Sequence, residues 1–407
     1  MTGNICNYLF QLFTGRYLST VDFGILNSLF SLFVITSVPG NAILLTTAKS
    51  ISDLKALKNK SKIEKVVTQI LFYTICLSCI FFALGFVFRG VILKFLSITD
   101  SYAYLIILVS MVLTLPLMVF MGILQGRQKF LKLGIFNAGQ AIIKLLLVVI
   151  AIVLGLSFRS VMTSTAISII IILVTIFHFS KKELNISKSF SVLTIDDEVL
   201  KMLKYVVPSF IAMLCFTIMT NIDMILVKHY FSGHEAGVYA TSAMFGKIIL
   251  YFPGAIVMAM FPMVSESNAL KTDTKRLLGK CLLYTSLFCF FSALVLCINP
   301  ELIVKTLFGV KYIQSAALIR FVGLVMIPLA LLNININYLL AINKFSFIYG
   351  LIGGCILEIV LVVFFHNSML QVLTILFLTG ITVLIYTLTI TFKKQINLSN
   401  KDIKRLV

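Results

Sequence analysis

Residues 103–124 read AYLIILVSMVLTLPLMVFMGIL, residues 125–132 read QGRQKFLK, and residues 133–156 read LGIFNAGQAIIKLLLVVIAIVLGL. Each apolar run is long enough for a helix to cross a bilayer core of about 30 Å, and the intervening octapeptide carries three cations. The runs are continuously apolar rather than alternating, which selects helices over barrel strands. In lipid, a helix satisfies its own backbone.

Working outward, the same pattern recurs along the chain. Apolar runs fall near 3–18, 23–47, 66–88, 103–124, 133–156, 160–180, 205–228, 238–263, 281–298, 316–341, 346–365 and 370–392. The expected fold is therefore an all-α integral membrane protein of twelve transmembrane helices. The first run is short: sixteen residues rise about 24 Å. Either that helix is thinned at one end or the true start lies upstream. No Lys or Arg precedes Arg16, so the first run reads as a retained span rather than a signal peptide.

Composition agrees. Of 407 residues, 60% are hydrophobic and 12% charged, where a soluble domain uses roughly a quarter charged residues. A formal net charge of +19 raises the question of nucleic acid, but the cations are scattered between apolar runs rather than gathered on a polar face. Nucleic acid is not an expected partner. The connections 48–65, 125–132, 181–204, 264–280, 342–345 and the segment after Phe392 hold 24 of the 34 Lys and Arg residues. Cytoplasmic loops of membrane proteins carry such an excess, which places these connections and both termini on the cytoplasmic side of an inner membrane. The loop bearing Lys49, Lys55, Lys58, Lys60, Lys62 and Lys65 reads as an orientation signal touching anionic headgroups of membrane lipids.

All eight cysteines lie in apolar segments, and Cys76 and Cys79 have no second pair or nearby histidine. They read as small hydrophobes, so no disulfide framework, metal site or other cofactor is expected.

The chain also resembles itself. Tyr17 to Ile25 (YLSTVDFGI) aligns with Tyr230 to Val238 (YFSGHEAGV), Val38-Pro39-Gly40 with Phe252-Pro253-Gly254, and Gln128-Lys129-Phe130 with Asn343-Lys344-Phe345, at separations of 213 to 215 residues. Six helices lie between equivalent points. An even number makes the repeats parallel, related by an axis along the membrane normal. The expectation is two pseudo-symmetric six-helix lobes around a central cavity: residues 1–180 and 205–392, joined by a cytoplasmic linker at 181–204 and followed by a cytoplasmic tail at 393–407.

Gly15-Arg16-Tyr17-Leu18 with Asp22-Phe23-Gly24, Asn221-Ile222-Asp223 with Gly237-Val238-Tyr239, and Phe261-Pro262-Met263-Val264-Ser265 resemble segments of polysaccharide exporters. These are the Wzx-type flippases of the multidrug/oligosaccharidyl-lipid/polysaccharide exporter superfamily. That resemblance implies export of undecaprenyl-pyrophosphate-linked oligosaccharide units, for O-antigen, capsule or teichoic-type polymers, through a cavity that opens alternately to the two membrane faces. It also implies lipid-linked oligosaccharide as the partner molecule, alongside other polysaccharide assembly proteins.

Ionisable groups within spans are costly and are functional candidates by default. Arg16, Lys144 and Lys247 are the candidate cargo contacts, because a dehydrated pyrophosphate needs cations and hydrogen-bond donors. Arg16 has an alternative as an interface anchor. Asp223 and Lys247 fall within about 5 Å of the same depth on consecutive antiparallel helices, which suggests an ion pair. Lys144 and Glu358 occupy neighbouring repeat positions in the fifth and eleventh helices, and the preferred reading is a gate across the lobe interface. The alternative satisfies each within its own lobe. Pro39 and Pro253 sit inside the second and eighth helices as candidate bending points. Asn333, Asn335 and Asn337 cannot share one face.

Two rivals remain. A cation-coupled multidrug antiporter of the same superfamily would use Asp223 or Glu358 for Na⁺ or H⁺. A membrane glycosyltransferase or polymerase would need acids or histidines gathered in a sizeable extracytoplasmic loop, which the short connections do not offer.

Overall fold

The structure, a computed structural model, describes residues 2–56, 60–155, 157–183, 197–251, 253–270 and 274–392. Helices account for essentially all regular structure there, and no strand occurs among the described residues. The first half contains α1 (Thr2–Tyr17), α2 (Thr20–Ala56), α3 (Lys60–Val87), short α4 (Arg89–Phe95), α5 (Ser101–Gly126), α6 (Phe130–Val153) and α7 (Phe158–Glu183). The second contains α8 (Asp197–Met219), α9 (Ile222–Tyr230), α10 (Gly233–Tyr251), α11 (Pro253–Ala269), α12 (Lys275–Ile298), short α13 (Pro300–Leu307), α14 (Ser315–Ala341), α15 (Ile348–Phe364) and α16 (Met369–Phe392).

Every predicted apolar run is largely helical over its described residues, but twelve full-length spans are not what those residues show. Ten helical stretches are long and apolar enough to cross a membrane. The others are short: α1 has 16 residues and α15 has 17, so each rises only about 25 Å. The chain is a multi-pass membrane protein. Residues 184–196 of the expected linker and the whole expected tail, 393–407, lie outside the described residues.

One predicted helix is interrupted: the seventh run breaks at Thr220 and Asn221 into α8 and α9. The eighth run is described as α10 and α11, and residue 252 between them lies outside the described residues. Pro39 lies inside the unbroken α2.

Local sequence explains the boundaries. Ser19 Oγ accepts the Asp22 amide at 3.0 Å and donates to Asp22 Oδ2 at 2.7 Å, which caps α2. Ser232 and Glu235 repeat the device before α10: the Ser232 amide and hydroxyl donate to Glu235 Oε2 at 3.0 and 2.8 Å. At the other end, Gln128 and Asn343 follow α5 and α14 in the left-handed conformation, with φ of 61° and 55°. The next amides, of Lys129 and Lys344, close onto Leu124 O and Leu339 O at 2.9 and 3.0 Å.

Packing follows one scheme twice. In the first half, α5 is flanked by α2, α3 and α7, while α6 packs on α1 and α7. In the second, α14 is flanked by α10, α11, α12 and α16, while α15 packs on α8 and α16. The central helices α5 and α14 are the most buried spans of their halves. Contact between the halves runs mainly through α2, against α8, α9 and α10. There Gly24 and Gly237 meet: a Cβ on Gly24 would lie 2.9 Å from the Gly237 nitrogen. Small residues let helix backbones approach this closely in membranes.

Candidate functional site

The break between α8 and α9 positions the first cluster. Asn221 leaves helical geometry with φ −140°, and α9 restarts one residue later, carrying Asp223 in its first turn. Discontinuous spans of this kind present helix ends and freed backbone groups to ligands. Asp223 is buried, and Tyr239 of α10 donates its hydroxyl to Asp223 Oδ2 at 2.7 Å. The other oxygen, Oδ1, is buried without a hydrogen-bond partner.

Glu358 of α15 is fully buried within electrostatic reach of Asp223. Its Oε2 is 3.4 Å from Thr379 Oγ1, whose shorter bond goes to Ile375 O at 2.9 Å, and Oε1 has no partner. Two carboxyl groups with unpartnered oxygens in a dry environment are expensive unless protonated or neutralised by a cation. The arrangement can therefore accept protons or a hard cation.

The expected Asp223–Lys247 pair is not in direct contact, although Lys247 lies within electrostatic reach of Asp223. Lys247 Nζ instead donates to Asn221 Oδ1 at 2.9 Å, because the break in the seventh span swings Asn221 toward α10 while Tyr239 occupies the carboxylate. Nor do Lys144 and Glu358 meet as a gate. Lys144 Nζ donates to Asn7 Oδ1 of α1 at 2.5 Å and lies 4.5 Å from the centre of the Phe10 ring, while Glu358 faces α16. Each has its contacts within its own half, since α6 packs on α1 and α15 on α16. Both lysines thus rest on neutral amides. Asn7 and Asn221 are 214 residues apart, the repeat spacing.

Arg16 is exposed at the end of α1, and its Nη1 donates to Thr306 O in the last turn of α13 at 2.8 Å. Of the three asparagines of α14, Asn335 is buried and accepts the Thr391 hydroxyl at 3.0 Å, whereas Asn333 and Asn337 bond each other on the opposite side. The partners Asn7, Tyr239 and Thr379 were missed in the sequence. Tyr239 had a signal, standing in the Gly237-Val238-Tyr239 motif, but its depth equals that of Asp223 only in the folded chain.

An inward-facing multidrug resistance MATE family transporter of the MOP superfamily is similar with a TM-score of 0.77 at 12% identity, covering 95% of this chain and 92% of that one. The lipid II flippase MurJ, in its inward closed conformation, gives 0.76 at 16% identity, covering 96% and 86%. An outward-facing MATE transporter gives 0.66 at 14% identity, covering 95% and 91%. At such identities the likeness establishes a shared fold. No curated protein matches the sequence. The profile of the family described as polysaccharide biosynthesis protein matches residues 1–268, and the chain belongs to that family.

Proposed function

We propose that this protein flips undecaprenyl-pyrophosphate-linked oligosaccharide across the cytoplasmic membrane by alternating access. Two six-helix lobes, 1–180 and 205–392, rock around a central cavity, with the termini, linker and basic connections cytoplasmic. The observation that carries the reading is membership of the polysaccharide biosynthesis family on a fold shared with a lipid II flippase. The repeated caps, repeated left-handed turns and repeated helix neighbours support the two lobes.

Lys144 and Lys247 are the proposed pyrophosphate contacts. A lysine resting on a neutral amide has further N–H donors to offer, so a phosphate oxygen gains a charge-assisted bond there. Asp223 and Glu358 are the proposed coupling groups, taking a proton or cation during the cycle. Their unpartnered oxygens also suit a cation-coupled multidrug antiporter, the second reading. A glycosyltransferase or polymerase has no such support in the fold.

The test replaces the chromosomal copy with Lys144→Ala or Lys247→Ala and measures surface polysaccharide, membrane abundance and resistance to cationic drugs. Loss of surface glycan at normal abundance is expected. Normal glycan in both variants refutes the cationic contacts, and drug sensitivity without a glycan defect selects the antiporter.

A further inference from the structure

The two halves are joined by a set of contacts at the face that carries α4 and α13. Arg16, ending α1, donates to Thr306 O in the last turn of α13. Lys311, just after α13, donates back to Arg16 O at 2.8 Å and Leu18 O at 2.5 Å, the carbonyls at the end of α1. Each helix end thus receives a cation from the segment that closes the other. The pairing is favourable because unsatisfied carbonyls make a helix C-terminus the negative end of its dipole.

A second contact mirrors the first. His229 lies 213 residues after Arg16 and ends α9 as Arg16 ends α1. Its Nδ1 lies 2.5 Å from Phe95 O at the end of α4, and its ring stacks on Phe95 with centroids 4.0 Å apart. So each half's first span sends a nitrogenous side chain to the C-terminus of the short helix of the opposite half. Between them Thr20 Oγ1 and His234 Nδ1 meet at 3.0 Å. Phe23, Phe245, Phe308 and Tyr312 form an apolar plug beside the first contact, with ring centroids 5.7 to 6.0 Å apart. Gly15 admits it: a Cβ there would lie 2.4 Å from the Phe308 ring.

We infer that Arg16, Lys311 and His229 form a latch that holds this face of the transporter shut, and that releasing it is an obligatory step of the cycle. Arg16 is thereby a positioning residue of the closed state rather than a standing cargo contact. Every bond ends on a backbone carbonyl of the opposite half, so separating the halves breaks all of them together. By the orientation proposed above, the latched face is extracytoplasmic and the structure is closed to the outside. The inference rests on the alternating-access reading.

The test uses the full chain in membranes. Thr20→Cys with His234→Cys, in a cysteine-free variant of checked abundance, is treated with a short bifunctional thiol reagent. Phe308→Cys, made separately, is treated with an impermeant maleimide. Adding Arg16→Gln and Lys311→Gln removes three charge-assisted bonds and is expected to slow cross-linking and raise Phe308→Cys labelling by about tenfold or more. Should that double change prevent insertion, His229→Phe supplies the measurement, since it keeps the ring stack and loses only the N–H; Lys311→Gln alone supplies a second. Unchanged cross-linking and labelling in the inserted latch variants overturn the latch. Surface polysaccharide in the cross-linked cells separates the two readings. Variants that open the rim while cross-linked cells still export glycan sink the transport reading and leave the closure contact standing.

Discussion

At the crossing of α2 and α10, Gly237→Ala tests the contact between the halves most sharply. The alanine Cβ would lie 2.0 Å from Thr20 O, 2.7 Å from Thr20 C and 3.2 Å from Thr20 Cα. Ordinary contact begins at 3.4 Å, so the two backbones must part by about 1.4 Å along that vector. No rotamer change relieves the clash, because the opposing atoms are main chain. Overpacking of this kind costs about 1–3 kcal/mol. Alanine also favours helix over glycine by about 1 kcal/mol, but α10 is helical whether the rim is open or shut, so that gain cancels from the equilibrium. The remaining 1–3 kcal/mol corresponds to a roughly 5- to 150-fold shift away from the closed rim. It is read as slower cross-linking between Thr20→Cys and His234→Cys at unchanged abundance. Gly254→Ala is the control, since nothing lies within 4 Å of its Cβ position. Equal cross-linking in the Gly237→Ala variant and the parent, or equal disruption by Gly254→Ala, would refute the close-approach argument.

Single cysteines at Lys275 and at Ser101 or Asn367 should label from the inside and the outside respectively; external labelling at 275 in intact cells inverts the topology. Tyr239→Phe strips the one hydrogen bond from Asp223 and should lower membrane abundance through a loss of about 1–3 kcal/mol, while the near-isosteric Asp223→Asn should insert normally and lose transport. Full transport by Asp223→Asn removes that carboxylate from coupling. Gln128→Gly relieves a left-handed non-glycine residue and should raise the melting temperature of the detergent-solubilised protein by a few degrees, for a gain of about 1 kcal/mol. Asn343→Gly should gain less, because asparagine tolerates that conformation. A melting temperature lowered by Gln128→Gly would show that its side chain contributes more than its backbone costs.

Helix positions were legible in the sequence because lipid imposes a local rule: each crossing segment must be apolar and satisfy its own backbone. Runs such as 103–124 and 370–392 therefore match α5 and α16 within two residues. The repeat spacing aligned Ser19 with Ser232 and Gln128 with Asn343, and the structure shows that the first pair caps helices and the second turns the chain. What the sequence could not supply was the choice of partner. Asp223 and Lys247 sit at similar depth, yet the break at Thr220–Asn221 hands the lysine to an amide and the carboxylate to Tyr239. Lys144 and Glu358 align in the repeat but belong to different packing sets. Gly24 and Gly237 were visible as a matched pair, and only the assembled halves reveal that they touch. The sequence by itself determined that the chain is a helical membrane protein with its cations gathered in alternate connections, because hydrophobicity and charge act on each segment separately. Which ionisable groups meet, and how α1, α4, α9 and α13 interlock across the halves, was decided by tertiary structure, because helix rotation and lateral packing depend on residues hundreds of positions apart.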